Sequence, residues 1–312
     1  MDWLIAGAGL TLLIIAGDFL VKGAVNLSLR LGIPAMIVSL TVVAFGTSAP
    51  ELLISIDAVR KNLPGIALGN VVGSNTANIL LVLGIPAMLA GLNTGRCNTR
   101  ESYVTMVVVS VLFVGLCFTG SLNWMTGIFM LVIFAFLLGK QIHDARAHRR
   151  QAKMQGAPEG ADPGMSWGKI ALFIVVGLIG LPVGADLLVE SSVRIARNFG
   201  ISETVIGLTL VAVGTSLPEL ATTVAAAFRR NADVALGNVI GSNVFNLIAI
   251  LGIASLFGTI PVPPEFLRTD LWVMLGSSLL LIPFVFMGWN MKRLAGIVLT
   301  GAYIAYLYIL LG

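Results

Sequence analysis

Two glutamates stand in the middle of strongly apolar runs, Glu51 at the end of Gly46-Thr-Ser-Ala-Pro-Glu51 and Glu219 at the end of Gly214-Thr-Ser-Leu-Pro-Glu219. A charged side chain at the centre of a bilayer costs roughly 2.5 to 3.5 kcal/mol on insertion scales, so each carboxylate must face a polar interior and a partner. No Lys or Arg lies in the neighbouring core segments to pair with them. Thr47 and Thr215 precede the two glutamates by four residues, which puts hydroxyl and carboxylate on one helix face. A second polar stripe with the same spacing, Asn70, Ser74 and Asn78, returns as Asn238, Ser242 and Asn246. All of these are oxygen or amide groups. They suit calcium, magnesium, manganese or sodium, whereas zinc and copper sites recruit His or Cys. The histidines, His143 and His148, fall in a loop, and Cys97 and Cys117 show neither metal-ligand spacing nor a disulfide framework. Pro50 and Pro218 each remove a backbone donor and crowd an earlier carbonyl, which predicts a broken helix with free carbonyls near Gly46 and Gly214. Such backbone is tolerated at membrane depth only against protein or a water-filled cavity, and it is one way cation sites are built.

The elements that must hold these groups are spanning helices. Apolar residues make up 57% of the chain and charged residues 11%, against about 25% charged in a soluble domain. Mean hydropathy is +0.97. Ten runs are long enough to cross a bilayer, near residues 3–27, 36–59, 65–91, 103–119, 122–141, 169–193, 204–228, 233–257, 270–288 and 292–311. The first begins with Asp2 instead of a basic segment and reads as a retained span, not a signal peptide. One connection is long, 142–168; it opens with Arg146, Arg149, Arg150 and Lys153, turns Gly/Pro-rich at Gly156 to Gly164, and reads as a solvated flexible linker. An extracytoplasmic N-terminus leaves only Arg60, Lys61, Arg194, Arg197 and Arg268 outside, and the remainder of the 19 Lys and Arg inside, as the positive-inside rule requires. Both termini are then extracytoplasmic and the 142–168 loop cytoplasmic.

The chain is duplicated. Thr41-Val-Val-Ala-Phe-Gly-Thr-Ser-Ala-Pro-Glu51 recurs as Thr209-Leu-Val-Ala-Val-Gly-Thr-Ser-Leu-Pro-Glu219, and Ala67 to Asn78 recurs as Ala235 to Asn246 at the same offset. Asp18 maps onto Asp186 and Gly32 onto Gly200. Five spans per copy is an odd number, so the second copy must enter the membrane from the opposite side. The expected fold is all-α and membrane-embedded, ten transmembrane helices as two inverted-topology repeats of five, 1–141 and 169–312, joined by the cytoplasmic linker 142–168. The GxxxG pairs Gly69/Gly73 and Gly237/Gly241 read as helix packing. Asn75 and Asn243 fit either interhelical glue or the site. Asp18 and Asp186 read as structural or gating residues, each with a basic neighbour on its own helix, Lys22 four residues on and Arg194 eight residues on.

The paired Gly-Thr-Ser-x-Pro-Glu and Gly-Asn-x-x-Gly-Ser-Asn segments, within 41–84 and 209–252, resemble the two alpha repeats of the calcium/cation antiporter superfamily, most closely its prokaryotic sodium/calcium exchanger branch. The resemblance covers nearly the whole chain. It implies a core of the second, third, seventh and eighth helices that holds the ions, past which the first and sixth slide. It further implies that Glu51 and Glu219 bind calcium, that Thr47, Ser48, Thr215 and Ser216 add oxygens, and that Ser74, Asn78 and Ser242 line sodium positions. Many sodium/calcium exchangers carry aspartate where this chain has Asn246, which leaves two central acids and resembles the proton/calcium members. The implied activity is Ca²⁺ exchange for Na⁺, or alternatively for H⁺, in a prokaryotic inner membrane, with the bilayer and the transported ions as partners and with no cofactor, nucleic acid or obligate protein partner. An intramembrane hydrolase using Ser48 or Ser216 would normally need a His, Lys or Asp base nearby, and no histidine lies in any span; a passive channel is disfavoured by inverted repeats with broken helices.

Overall fold

The structure is a computed structural model and describes residues 1–152, 162–200 and 212–311. It is all-helical apart from short bridges between loops. In chain order the long helices are α1 (Asp2–Leu31), α2 (Ala35–Thr47), α3 (Ala49–Arg60), α4 (Pro64–Leu89), α5 (Arg100–Cys117), α6 (Trp124–Ala152), α7 (Trp167–Asn198), α8 (Leu217–Phe228), α9 (Ala232–Phe257), α10 (Phe266–Phe286) and α11 (Arg293–Leu311). Among the described residues seven helices are long and apolar enough to cross a membrane, and α2 with α3, bent by 44° at their junction, makes an eighth. Helix α8 and Arg293–Ile309 within α11 are shorter apolar helices. Residues 204–211 of the expected seventh span lie outside the described residues, as do Thr209 at the head of its motif and 153–161 of the expected linker. The linker also begins later than its composition suggests. Between Gly139 and Gly156 nothing breaks a helix, and a run rich in Ala, Arg and Gln has high helix propensity, so α6 continues through the basic cluster to Ala152.

Burial orders these helices into a centre and a rim. Within their apolar windows α4 is 78% and α9 89% buried, whereas α6 is 11% and α7 22% buried. Large apolar side chains such as Trp3, Phe136, Ile179 and Tyr308 point outward, as expected where the surrounding solvent is lipid. Lipid tails give little hydrophobic drive for helix association, so close backbone approach must hold the bundle. Helices α1 and α7 do this along their length. A Cβ added at Gly9 would sit 2.7 Å from the Leu188 backbone nitrogen, and one at Gly177 2.6 Å from the Leu20 Cβ.

The duplication is written into the backbone. Left-handed residues recur as pairs at one offset: Gly32 with Gly200 (φ 67° and 75°), Asn62 with Arg230 (φ 60° and 57°), and Gly120 with Gly288 (φ 85° and 69°). The loop contacts recur as well. Leu92 bridges Met291, and Ile260, the residue corresponding to Leu92, pairs with Leu122. At the centre Asn75 donates to the Asn243 carbonyl (3.1 Å), and Asn243, 168 residues on, donates back to the Asn75 carbonyl (3.4 Å).

Gly9→Val should overpack the α1/α7 seam at a cost of about 1–3 kcal/mol. It should lower the thermal unfolding midpoint in detergent. Gly7→Val, two residues away where a Cβ meets nothing within 4 Å, is the control and should leave the midpoint nearly unchanged.

Candidate cation site

Both helix breaks fall on the serine of the motif. Ser48 has φ −87° and ψ 8°, and Ser216 has φ −88° and ψ 5°. The prolines two residues later sit in the first turn of α3 and α8, where a missing N–H costs nothing. They leave the carbonyls of Gly46 and Gly214 without the N–H that would otherwise close the preceding turn. Glu51 and Glu219 occupy those same first turns, and the positive end of the helix dipole favours a carboxylate there. The opposing stripes are irregular at the matching point. Asn78 opens a π-helical stretch, Asn78–Val82, in α4, and Asn246 lies in another, Phe245–Ile250, in α9; such stretches concentrate at functional sites.

The structure buries Thr47, Ser48, Glu51, Ser74, Asn78, Ser216, Glu219, Ser242 and Asn246, and leaves Thr215 partly exposed. Glu51 and Glu219 are both 0% exposed, and they lie close enough for their charges to interact. Ser48 donates to Glu219 Oε1 at 2.9 Å, from the other repeat. Thr47 also crosses between repeats, donating to Asn238 Oδ1 at 3.3 Å. Thr47 and Ser242 adjoin the Glu219 carboxylate. No cation partners either glutamate among the described residues.

Unpartnered polar atoms single out this place. Among the described residues, nine of the ten buried side-chain N and O atoms without a hydrogen bond lie here: both oxygens of Glu51, Oε2 of Glu219, the hydroxyls of Ser216 and Ser242, Oδ1 of Asn75 and Asn78, and both amide atoms of Asn246. Buried polar groups in folded proteins are nearly always satisfied, and a cluster dominated by acceptor oxygens would suit a ligand that accepts electron pairs. The donor set of two carboxylates with neutral oxygens matches a hard cation. Among the described residues no three His, Cys, Asp or Glu gather, so any cation held here would take the rest of its ligands from neutral oxygens.

Sequence reasoning placed Asn70 and Asn238 in the polar stripes but missed that they hold the glutamate backbone, and it missed their partners Ser55 and Thr223. Asn70 donates to the Glu51 carbonyl and to Ser55 Oγ, both at 3.2 Å; Asn238 donates to the Glu219 carbonyl at 3.3 Å and to Thr223 Oγ1 at 3.2 Å. The signal existed, because Ser55 and Thr223 are polar residues four positions after each glutamate in both copies. Asn75 and Asn243 bond to each other across the repeat interface, and Asn243 Oδ1 accepts from Asn78 at 3.0 Å. One expected neighbour is corrected. Arg194 pairs with Asp2 at 2.8 Å and Glu190 at 3.5 Å instead of Asp186, since eight residues along a helix is over two turns and beyond its reach. Asp18 does pair with Lys22 at 2.9 Å, and also with Arg229 on α8.

The duplicated motifs, the two broken helices and the buried acids are matched across the chain by one family. The sequence pattern described as sodium/calcium exchanger protein covers residues 1–142 and 169–312. The chain belongs to the sodium/calcium exchanger family. It is 35% identical to sodium/calcium exchanger MaX1 of Methanosarcina acetivorans, over 99% of this chain and 98% of that protein. It superposes on the solved structure of the sodium-calcium exchanger NCX_Mj, soaked with Na⁺ and Sr²⁺, with a TM-score of 0.84 at 31% identity, covering 98% of this chain and 97% of that one. The Ca²⁺/H⁺ antiporter ChaA of Bacillus subtilis is 28% identical over 75% of this chain and 72% of its own length. The chain is thus a multi-pass membrane protein of an ion-exchanger family.

Asn238→Ala should remove hydrogen bonds from a fully buried donor and destabilise the protein by about 1–3 kcal/mol. Asn70→Ala acts at a partly exposed position and should cost less. The comparison is read from unfolding midpoints in detergent, and an equal or smaller loss at Asn238 would contradict the clamp.

Proposed function

We propose that this exchanger carries Ca²⁺ in exchange for Na⁺ by alternating access, through a site made by Glu51 and Glu219 with oxygens from Thr47, Ser48, Thr215, Ser216, Ser74, Asn78, Ser242 and Asn246. The observation that carries this reading is the pair of fully buried acids, near enough for their charges to interact and with no Lys or Arg partner among the described residues, in the company of unsatisfied oxygens. Ten spans in two inverted repeats, with both termini extracytoplasmic and 142–168 cytoplasmic, give the site equivalent approaches from the two sides of a prokaryotic cell membrane. Inverted repeats with broken helices at the midplane favour a carrier over a pore. Helices α1 and α7, joined by their glycine seam, form the unit that moves against the core of α2, α3, α4, α8 and α9.

Charge sets what can bind. Two carboxylates are neutralised by one Ca²⁺ or by two monovalent ions, and a further cation would bring uncompensated charge into a low-dielectric interior. Neutral Asn246, where many exchangers place aspartate, supports a second reading in which H⁺ is the counter-ion, as the name of ChaA indicates for that relative. Both readings require deprotonated carboxylates for metal binding, so acidification should weaken calcium affinity in either case.

In proteoliposomes, Glu51→Gln or Glu219→Gln should abolish gradient-driven ⁴⁵Ca²⁺ uptake while the protein remains folded and monodisperse. Near-normal uptake in either variant removes the central role of the two acids. An imposed Na⁺ gradient should drive uptake in the unaltered protein. Uptake that follows an imposed pH gradient and ignores sodium decides for proton coupling, and flux that persists with no counter-ion gradient decides for a channel.

A further inference from the structure

The two repeats share the asparagine clamps that hold the backbone of each glutamate, but they differ in how α1 and α7 meet the core. Helix α1 packs along α8, with Gly17 so close that an added Cβ would lie 2.9 Å from the Ala221 carbonyl oxygen. The equivalent contact, α7 along α3, is nearly absent. The charges follow the packing. Arg229 at the end of α8 holds Asp18 through Nη2 and Nε, at 2.5 and 2.6 Å, and Lys22 holds the other carboxylate oxygen at 2.9 Å.

The duplication assigns each partner a counterpart. Asp18 corresponds to Asp186 and Arg229 to Lys61, by the offset that relates Glu51 to Glu219. That second pair is not formed. Asp186 is exposed and pairs with no cation among the described residues, and 201–211 contain no Lys or Arg. Lys61 rests instead on Asp57 of its own helix at 2.7 Å, with both side chains more than half exposed, a contact that water replaces at little cost.

We propose that Asp18 with Arg229, and Asp186 with Lys61, are alternative clasps that close opposite sides of the exchanger, only one being formed at a time. The proposal rests on the alternating-access reading. When the α1/α7 unit slides, Asp18 leaves Arg229 on the side assigned to the cytoplasm and Asp186 reaches Lys61 on the other. The clasps are unequal by sequence. Lys22 reinforces the first, whereas its counterpart Glu190 repels the acid of the second, so the equilibrium is weighted toward the arrangement in this structure.

The test uses the full chain in proteoliposomes, with Cys97→Ala and Cys117→Ala, and with Asp186→Cys and Lys61→Cys as reporters for a short thiol cross-linker. Breaking the first clasp by Arg229→Gln, or independently by Asp18→Asn, should raise the cross-linked fraction at least threefold over the parent. Arg229→Lys, which keeps the charge, should stay near the parent and so separates a lost clasp from general loosening. An unchanged fraction in both clasp variants, or an equal rise in Arg229→Lys, overturns the proposal. Calcium uptake is measured on the same vesicles before cross-linking. A rise in cross-linking without any uptake supports the clasps and counts against the cargo assignment, whereas uptake with unchanged cross-linking counts against the clasps alone.

Discussion

Two carboxylates buried in an apolar bundle, with no basic side chain paired to them among the described residues, set the terms for everything around them. Burying an unpaired charge is among the most expensive things a protein can do. A mobile cation is the partner that would make the arrangement tolerable. The surrounding features follow from that constraint. The helix breaks at Ser48 and Ser216 place each acid at a helix N-terminus, Asn70 and Asn238 fix the backbone that carries it, and hydroxyl and amide oxygens are held near it without partners of their own.

The duplication organises the site, and departures from it are confined to particular contacts. Near the centre the halves match closely: the asparagine clamps and the reciprocal Asn75 and Asn243 bonds recur, and three pairs of left-handed residues recur at the helix ends. Departures begin at the ligands, where Ser48 binds Glu219 but Ser216 leaves Glu51 alone. They become large at α1 and α7, which lean on the second repeat's α8 and not on the first repeat's α3. A closely packed pair of helices set asymmetrically on a nearly symmetric core would suit the sliding unit proposed above.

Much of this was legible in the residues. Gly, Pro, Asn and Glu in register across two copies revealed the repeat, and mid-span position alone marked Glu51 and Glu219, because the bilayer penalises carboxylates so steeply. The broken helices followed from proline chemistry. Contacts between residues distant in the chain could not be read this way. Nothing in the sequence says that Arg229, and not only Lys22, reaches Asp18, or that Arg194 turns to Asp2 instead of Asp186, since those choices depend on how α1 and α7 lie against the core. The end of α6 was misplaced for a different reason: charge density suggested a linker, but helix propensity without a breaker carries the helix to Ala152.

Equilibrium binding of ⁴⁵Ca²⁺ to the purified protein in detergent, with no membrane or gradient, addresses the two acids most directly. The expected result is one saturable calcium per chain, lost when Glu51 and Glu219 are both changed to Gln and weakened as the pH falls. Saturable binding that survives the double substitution would mean that the metal is held elsewhere.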